Sequence, residues 1–507
     1  MRKKLLYLAA LFFLTVLCAP SAAAQEAAAA ELNGTMTVKI SDGQRAGAIL
    51  DGSVTTYLSF TGGASITITQ PEGIKGLYII WNRIPGQWTY TADGLSYMAG
   101  QNGYLHEYIK FNRPVKELII AIPSAGAQIT DMHCFGEGRL PDWVQVWQPP
   151  CDKADLLLLP THSDDEQLFF AGILPYYAGE LGYKVQVVYM TNHWDTIRRP
   201  HEQLDGLWTV GVRNYPIIGP FPDLVASLGS TAETVEAVFQ RALSVYEEEA
   251  ITEFQVETIR RFRPLVIVGH DFAGEYRHGA HILNAYTLKK ALELSGVSSY
   301  HPASAEKYGV WDVPKTYIHL YEDNPIVMNW DVPLERFNGL TAFEVTKLGY
   351  ACHISQQWTW FTSWLNHARA ADIGSYSPCL YGLFRSTVGP DTGKADFFEN
   401  ISTYGEQAEK LNQNRLRLIA EEQQAAELTE IKLSEVASET LRLRLEEEKL
   451  RLEEEQRRLE EEAQIQAARE REFEQRLKKT RRLGITAAAV TLLIIIGLVL
   501  ILRRRKR

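Results

Sequence analysis

The clearest hydrophobic pattern in the chain is a run of four leucines, Leu156 to Leu159, which is followed at once by the polar sequence THSDDE. An unbroken apolar run of this length is typical of a strand buried on both faces of a parallel sheet. Two further apolar runs, Val185 to Met190 and Leu265 to Val268, also lead into polar loops. The pattern predicts an α/β domain with a Rossmann-like, mostly parallel sheet over residues 152–400.

Residues 31–148 show a different pattern, in which short alternating runs such as TTYLSF, ASITIT and ELIIAI are separated by turn residues. This alternation predicts an antiparallel β-sandwich. The arrangement resembles discoidin or galactose-binding-like domains, and that resemblance implies a carbohydrate-binding role. Four aromatic residues either stack on sugar rings or belong to the core of the sandwich: Trp88, Tyr90, Tyr97 and Tyr104.

Residues 405–482 contain neither proline nor glycine after the first position, and Glu, Arg, Gln, Leu and Ala dominate. This composition predicts one long charged helix that acts as a stalk. Leu445, Leu452 and Leu459 repeat every seven residues, but the second apolar seam fades after Leu450. A homodimeric coiled coil and a solitary helix held by Glu–Arg pairs therefore remain alternatives.

Both ends of the chain carry segments that predict its location. Residues 1–24 have a basic start, an apolar centre and small residues at the end, as in a cleaved signal peptide. Residues 483–502 carry no charge over a length that spans a bilayer, and residues 503–507 form a basic cytoplasmic tail. The sequence predicts a single-pass cell-membrane protein whose α/β domain is extracellular. The formal charge of −10 argues against a nucleic-acid partner.

The chain has five cysteines, and Cys18 lies in the predicted signal peptide. In an oxidising compartment the other four allow three pairings. Proximity in sequence favours Cys134 with Cys151 and Cys352 with Cys379, with free buried thiols as the alternative.

The loop after the leucine run concentrates candidate chemistry, with His162, Asp164, Asp165 and Glu166 within five positions. His162 and Asp165 are three apart across a tight turn and can reach one metal ion, which leaves Asp164 to act as a general base. The alternative is an ordinary helix start, in which the acidic residues favour the helix dipole.

A second polar loop follows the strand at Leu265 to Val268 and contains the sequence GHDFAGEYRHGAH. His270 and Asp271 lie at the end of the strand, and His278 and His281 are three residues apart. The carboxyl ends of parallel strands meet at one edge of a sheet, so both clusters are expected to face one site. A hydrolytic zinc ion needs about three such ligands and one open position.

THSDDE together with EYRHGAH resembles the motifs of the PIG-L or LmbE-like zinc-dependent N-acetylglucosaminide deacetylases, over residues 152–385. The usual first motif is AHPDDE, and here Thr161 and Ser163 replace its alanine and proline. The resemblance implies three zinc ligands, namely His162, Asp165 and His281. It also implies that Asp164 is the base, and that His278 with Tyr276 stabilises the oxyanion or protonates the amine. Further matches imply substrate-binding roles for Arg199, Glu202 and His353.

The expected function is therefore a Zn²⁺-dependent hydrolase that removes N-acetyl groups from N-acetylglucosamine-type sugars or glycans. Two alternatives remain open from the sequence. One is a zinc amidohydrolase that acts on another amide, because the motifs specify metal chemistry better than the acyl acceptor. The other is a non-catalytic surface glycan-binding protein built on the same domains.

Overall fold

The computed structural model describes residues 27–224, 228–357, 361–435, 444–469 and 471–472. The chain separates into two compact units that divide between Gln407 and Ala408. The predicted signal peptide, membrane segment and basic tail lie outside the described residues. Among the residues that are described, no helix is long and apolar enough to cross a membrane.

Seven antiparallel strands form the first sheet, in the order β2-β7-β3-β6-β4-β5, with β1 paired to β3. The strands are β1 (Thr37–Ile40), β2 (Leu58–Ser59), β3 (Ser65–Trp81), β4 (Trp88–Ala92), β5 (Leu95–Ala99), β6 (His106–Ala121) and β7 (Gln128–Phe135). Register shifts between Thr69 and Gly76 divide the long strand β3, whose first half pairs with β1 and whose second half pairs with β7. The prediction of antiparallel strands in this region is confirmed.

The aromatic residues of this sheet belong mainly to its core. Trp88 and Tyr104 are buried, whereas Tyr97 is exposed and stacks on the half-buried Tyr90 with 5.3 Å between ring centroids. Of the two alternatives, Trp88 and Tyr104 therefore follow the one in which the aromatic side chains belong to the core.

The second sheet also has seven strands, in the order β10-β9-β8-β11-β12-β14-β13. Its strands are β8 (Leu156–Leu158), β9 (Val185–Asn192), β10 (Ile217–Pro222), β11 (Val266–Gly269), β12 (Lys315–His319), β13 (Pro325–Val327) and β14 (Leu380–Ser386). The first five strands in that order are parallel, and β14 is antiparallel to both of its neighbours, β12 and β13. This confirms the mostly parallel, Rossmann-like sheet. The strand order reverses at β8, which has β9 on one side and β11 on the other, and such a point is where open α/β sheets bind ligands.

The helices of the first unit connect the strands of the parallel sheet. They are α1 (Asp165–Leu168), α2 (Arg199–Thr209), α3 (Val235–Leu243), α4 (Glu248–Phe262), α5 (Gly279–Leu294), α6 (Pro302–Tyr308), α7 (Ala342–Ala351) and α8 (Phe361–Leu365). A π-helix covers Leu174–Glu180. Short 3₁₀ segments cover Ala46–Ile49, Glu275–Arg277, Glu335–Phe337, Ile354–Gln356 and Ala370–Asp372.

The antiparallel sheet packs directly on the parallel-sheet region. His106 at the start of β6 places Nε2 2.8 Å from Nδ1 of His201 on α2. The backbone N–H of Leu105 donates to the Tyr215 hydroxyl (3.0 Å). These buried contacts explain why the two predicted domains form one compact unit.

The helix α9 covers Tyr404–Glu435, and residues 444–469 form a further helix. The Gln456 amide donates to the Glu422 carboxylate (3.4 Å). One straight helix would separate these two residues by about 50 Å at 1.5 Å per residue. The prediction of a single uninterrupted helix is therefore wrong, because the two described segments lie side by side.

The four cysteines of the described chain are free thiols, so the predicted pairings of Cys134 with Cys151 and of Cys352 with Cys379 are wrong. Cys134, Cys151 and Cys379 are buried, and burial raises the pKa of Cys134 to about 12. These thiols act as small apolar groups in the core.

Candidate metal-dependent active site

The first loop of the site is a tight turn that connects β8 to α1. The backbone N–H groups of Thr161 and His162 both donate to Oδ2 of Asp165, at 3.1 and 2.7 Å. The Asp165 side chain is 2% exposed. The turn therefore fixes the carboxylate in place beside His162, as the spacing of the two residues predicted.

The second loop lies between β11 and α5, beside the first. His278 is the N-cap of α5, where its Nδ1 accepts a hydrogen bond from the backbone N–H of Ala280 (3.2 Å). His281 follows in the first turn of α5 and is fully buried. Because β8 and β11 are neighbours in the sheet, the two histidine-bearing loops meet at its carboxyl edge.

The three predicted metal ligands converge on one point. His162 Nδ1 lies 3.1 Å from His281 Nε2, and Asp165 Oδ2 lies 3.4 Å from His162 Nδ1 and 3.3 Å from His281 Nε2. Ligand atoms about 2.0–2.1 Å from a tetrahedral zinc ion lie roughly 3.4 Å apart, so the spacing of this group fits such an ion. The structure therefore contains a buried His/Asp group able to hold a metal.

Two overlapping groups share parts of this cluster. His162, His278 and His281 place nitrogens within 4.8 Å of one another, as do the donor atoms of Asp165, His270 and His281. Nε2 of His270 lies 3.4 Å from Oδ2 of Asp165, and both atoms accept a hydrogen bond from the backbone N–H of Thr161. The distances from Asp165 to His162 and to His270 are both 3.4 Å, and His281 belongs to both groups.

Glu275 is a buried carboxylate that connects three histidines behind the metal group. Its Oε2 accepts hydrogen bonds from Nδ1 of His270 and Nδ1 of His281, both at 2.8 Å. Its Oε1 accepts from Nδ1 of His319 (2.6 Å) and from the backbone N–H of Asp271 (3.2 Å). Burial alone would raise the pKa of Glu275, but the histidines lower it well below its usual value. The bond to Nδ1 of His281 directs its Nε2 toward the site.

Asp164 has a backbone conformation that is unusual for a residue with a side chain, with φ of 126° and ψ of −23°. Its N–H donates to Oε2 of Glu166 (3.0 Å), and its Oδ1 lies 3.5 Å from the Arg199 guanidinium. Burial raises the pKa of Asp164 to about 7 against the opposing charge of Arg199. A carboxylate with this pKa is suited to accept a proton near neutral pH.

His278 and Tyr276 lie next to the metal group. The rings of His278 and His162 are 4.5 Å apart, and Tyr276 is edge-on to His278 at 5.5 Å. Burial lowers the pKa of His278 well below its usual value, so the imidazole is neutral at pH 7. Because Nδ1 accepts the hydrogen bond from Ala280, the single proton of His278 sits on Nε2, which is therefore a donor.

Arg199, at the start of α2, joins the two sides of the site. Its guanidinium donates to the backbone oxygen of Ser163 (3.1 Å) and to Oδ2 of Asp223 (3.3 Å). Asp223 also places Oδ1 3.4 Å from Nε2 of His162 and Oδ2 3.6 Å from Nδ1 of His193. The His162, His193 and Arg199 side chains therefore surround a carboxylate contributed by the segment after β10.

Glu202 and His353, for which the resemblance implies substrate-binding roles, are both buried. Glu202 is 2% exposed, and its two oxygens accept hydrogen bonds from the backbone N–H and the hydroxyl of Ser355, at 2.9 and 2.5 Å. His353 is fully buried, with Nε2 3.1 Å from Oε1 of Glu166. Both residues support the loops around Asp164 in this structure.

Three acidic residues of the site had no specific role in the sequence prediction, namely Glu275, Asp223 and Glu166. Glu275 is the first residue of EYRHGAH and lies close in sequence to both histidines of that motif. This proximity could have indicated that its carboxylate is their hydrogen-bond partner. Asp223 lies on a segment without a motif, and its role depends on the packing of β10 beside β9.

No family model matches the chain. The chain is 29% identical over 181 residues to a 1D-myo-inositol 2-acetamido-2-deoxy-alpha-D-glucopyranoside deacetylase 2 of Saccharopolyspora erythraea, with 32% of this chain and 63% of the relative covered. It is 28% identical over 188 residues to the corresponding deacetylase of Rhodococcus opacus, with 32% of this chain and 60% of the relative covered. The chain therefore spans less than two thirds of the length of these curated relatives.

Among solved structures, the N,N'-diacetylchitobiose deacetylase of Pyrococcus horikoshii is similar with a TM-score of 0.34 and 14% identity. The similarity covers 47% of this chain and 86% of that protein.

Proposed function

We propose that the chain is a zinc-dependent hydrolase that removes acetyl groups from N-acetylglucosamine-type sugars. The observation that carries this proposal is the triangle of His162 Nδ1, Asp165 Oδ2 and His281 Nε2, with sides of 3.1–3.4 Å, next to Asp164. Imidazole and carboxylate donors of this kind suit zinc. The curated relatives are named as deacetylases of an acetamido sugar, which supports the substrate class.

The two histidines and Asp165 would hold the ion, which supplies Lewis-acid polarisation of the amide carbonyl and makes water a stronger acid. Asp164 takes the proton of the attacking water and gives it to the sugar nitrogen as the C–N bond breaks, since its raised pKa suits proton transfer near neutral pH. Nε2–H of His278 donates a hydrogen bond to the oxygen on which negative charge develops. Tyr276 lies beside His278 and shields this oxygen from solvent.

Arg199 positions the base through its charge and through its bond to the backbone of Ser163. Glu166 accepts the N–H of Asp164, and His353 is paired with the other oxygen of Glu166. These contacts hold Asp164 in its strained conformation before substrate binds, which is a form of preorganisation.

We place this activity at the cell surface, on the basis of the segments 1–24 and 483–502 in the sequence. In that arrangement the glycan substrate is met outside the membrane, and residues 503–507 face the cytoplasm.

The test is acetate release by the purified full-length chain from a panel of N-acetylglucosaminides, with zinc and with a chelator. The proposal requires release that chelation abolishes and zinc restores. A chain that binds zinc and releases acetate from none of these sugars, yet hydrolyses another amide, would refute the substrate class. A chain that binds no zinc at all would refute the chemistry.

A further inference from the structure

A cavity of about 440 Å³ lies where the antiparallel sheet meets helix α2, outside the candidate active site. Its volume falls within the range of roughly 300–1,000 Å³ that is typical of small-molecule sites. One wall comes from the sheet and the segment after it and includes Tyr78, Asp131 and Trp143. The opposite wall comes from α2 and includes Asp205 and Trp208. The cavity exists only because the two parts of the unit pack together.

Two tryptophans present aromatic surface to this cavity and are held rigidly. Trp143 is 45% exposed, although its ring packs against His133 at 4.8 Å and against Tyr78 at 5.8 Å. Trp208 packs edge-on against Trp147 at 5.3 Å, and its indole N–H donates to the backbone oxygen of Asp142 (2.7 Å). Rigid, partly exposed aromatic rings of this kind bind sugar rings and cations.

The charged groups of the cavity are mainly acidic. Asp131 is buried and lies 3.2 Å from Nε2 of His133, whose Nδ1 is 2.6 Å from Glu31. His133 therefore lies between two carboxylates, so the three side chains together carry no net positive charge. Asp205 is partly exposed, and only its Oδ1 accepts a hydrogen bond among the described residues, from the Gln145 amide at 2.6 Å. The described lining includes neither lysine nor arginine, but the Arg213 guanidinium lies over the Trp208 ring, 3.8 Å from its centroid.

We propose that this cavity, called the cleft below, binds an amino-sugar residue of the glucosamine type, which has a free, protonated amine. The ammonium group lies toward Asp205, and the sugar ring lies between Trp143 and Trp208. Acidic groups combined with aromatic faces favour such a cation over an N-acetylated sugar, whose nitrogen is uncharged.

This inference rests on the proposed function, because deacetylation generates the residue that the cleft recognises. Asp205 is six residues beyond Arg199 on α2, which corresponds to about 9 Å along the helix axis. The cleft and the active site therefore lie close to each other along one helix. A glycan that is already partly deacetylated is held at the cleft while another of its residues is hydrolysed.

The test uses the full-length, zinc-loaded chain and isothermal titration calorimetry with the glucosamine tetramer, which has no acetyl group to hydrolyse. Asp205→Asn and Trp143→Ala are each expected to weaken binding about tenfold. Asp142→Asn is the matched control, since this carboxylate is 89% exposed and lies next to Trp143 outside the cavity lining. All three variants are expected to retain the native rate of acetate release from a monosaccharide substrate, which shows that they are folded.

Unchanged binding of the glucosamine tetramer in both cleft variants overturns the proposal. Equal weakening for the N-acetylglucosamine tetramer overturns the preference for a free amine. Weaker binding in the cleft variants, confined to the glucosamine tetramer, supports it. If the native chain releases no acetate but binds the glucosamine tetramer through Asp205 and Trp143, the proposed function fails and the cleft assignment stands. If Trp143→Ala also loses monosaccharide activity, that variant is misfolded and Trp143→Phe takes its place. Native binding of the glucosamine tetramer by an active Trp143→Phe variant supports the stacking role of the ring. Loss of both activity and binding in Trp143→Phe overturns that role.

Discussion

Replacement of Glu275 by glutamine is expected to weaken zinc binding while the chain stays folded. The carboxylate accepts hydrogen bonds from three imidazole N–H groups and one backbone N–H, at 2.6–3.2 Å. Glutamine has the same shape but presents an NH₂ group on one side, so at least one imidazole N–H then faces another donor. If that imidazole is His281, its Nε2 is no longer directed at the ion.

Loss of a carboxylate behind a ligating histidine typically costs 10–100-fold in metal affinity. This corresponds to about 1.4–2.7 kcal/mol, since each factor of ten is about 1.4 kcal/mol. The assay is competition for zinc between the metal-free chain and a chromophoric chelator, at a pH where both proteins are folded. Glu322→Gln is the matched control, because Glu322 lies on the exposed loop after β12. A folded Glu275→Gln variant with the native zinc affinity would refute the positioning role of this residue.

Further predictions concern the base, the buried histidine pair and a tightly packed glycine. Asp164→Asn is expected to lower acetate release by a factor of about 10²–10⁴ while zinc stays bound. Turnover and metal content are measured, and loss of zinc would contradict the role of Asp164 as a base that is not a ligand. Burial lowers the pKa of His106 well below its usual value and that of His201 to about 4, so both are neutral in the folded chain. The unfolded chain takes up more protons below pH 6.5, so the free energy of unfolding should fall by about 2 kcal/mol for His201 alone between pH 7 and pH 5. Urea unfolding of the native chain and of His201→Gln at both pH values checks this. The same change in the free energy of unfolding between pH 7 and pH 5 in both proteins would contradict it. Gly172→Ala is expected to destabilise the chain by more than about 2 kcal/mol, because φ is +87° and the added carbon would lie 2.3 Å from the Trp330 ring; an unchanged melting temperature would exclude this clash.

The features that the sequence predicted well are those set by local patterns. Four consecutive leucines indicated a strand buried on both faces, and β8 lies at the centre of the parallel sheet. The spacing of His162 and Asp165 indicated a shared ligand position, because a tight turn fixes their separation. The order of the strands indicated that His278 and His281 lie at the same edge of the sheet, but the role of His281 as the third ligand came only from resemblance to a family.

The features that the sequence missed depend on contacts between distant segments. The partners of Glu275 come from β11, α5 and β12, and no local pattern records that these elements meet. The contact between the two described C-terminal helices was not predicted, because no proline or glycine, the residues that usually end a helix, lies between them in the sequence. The cysteine pairing was inferred from proximity in sequence, which does not determine proximity in space.

The positive φ of Asp164 has a consequence for any attempt to make this protein more stable. Holding a residue with a side chain in a sparsely populated region costs of the order of 1–3 kcal/mol, and glycine would adopt the same conformation at little cost. Stability-based selection at position 164 would therefore favour glycine, which lacks the carboxylate required for the proposed chemistry. Folding free energy and catalytic competence oppose each other at this single position, so variants chosen for thermal tolerance alone would tend to lose activity there first.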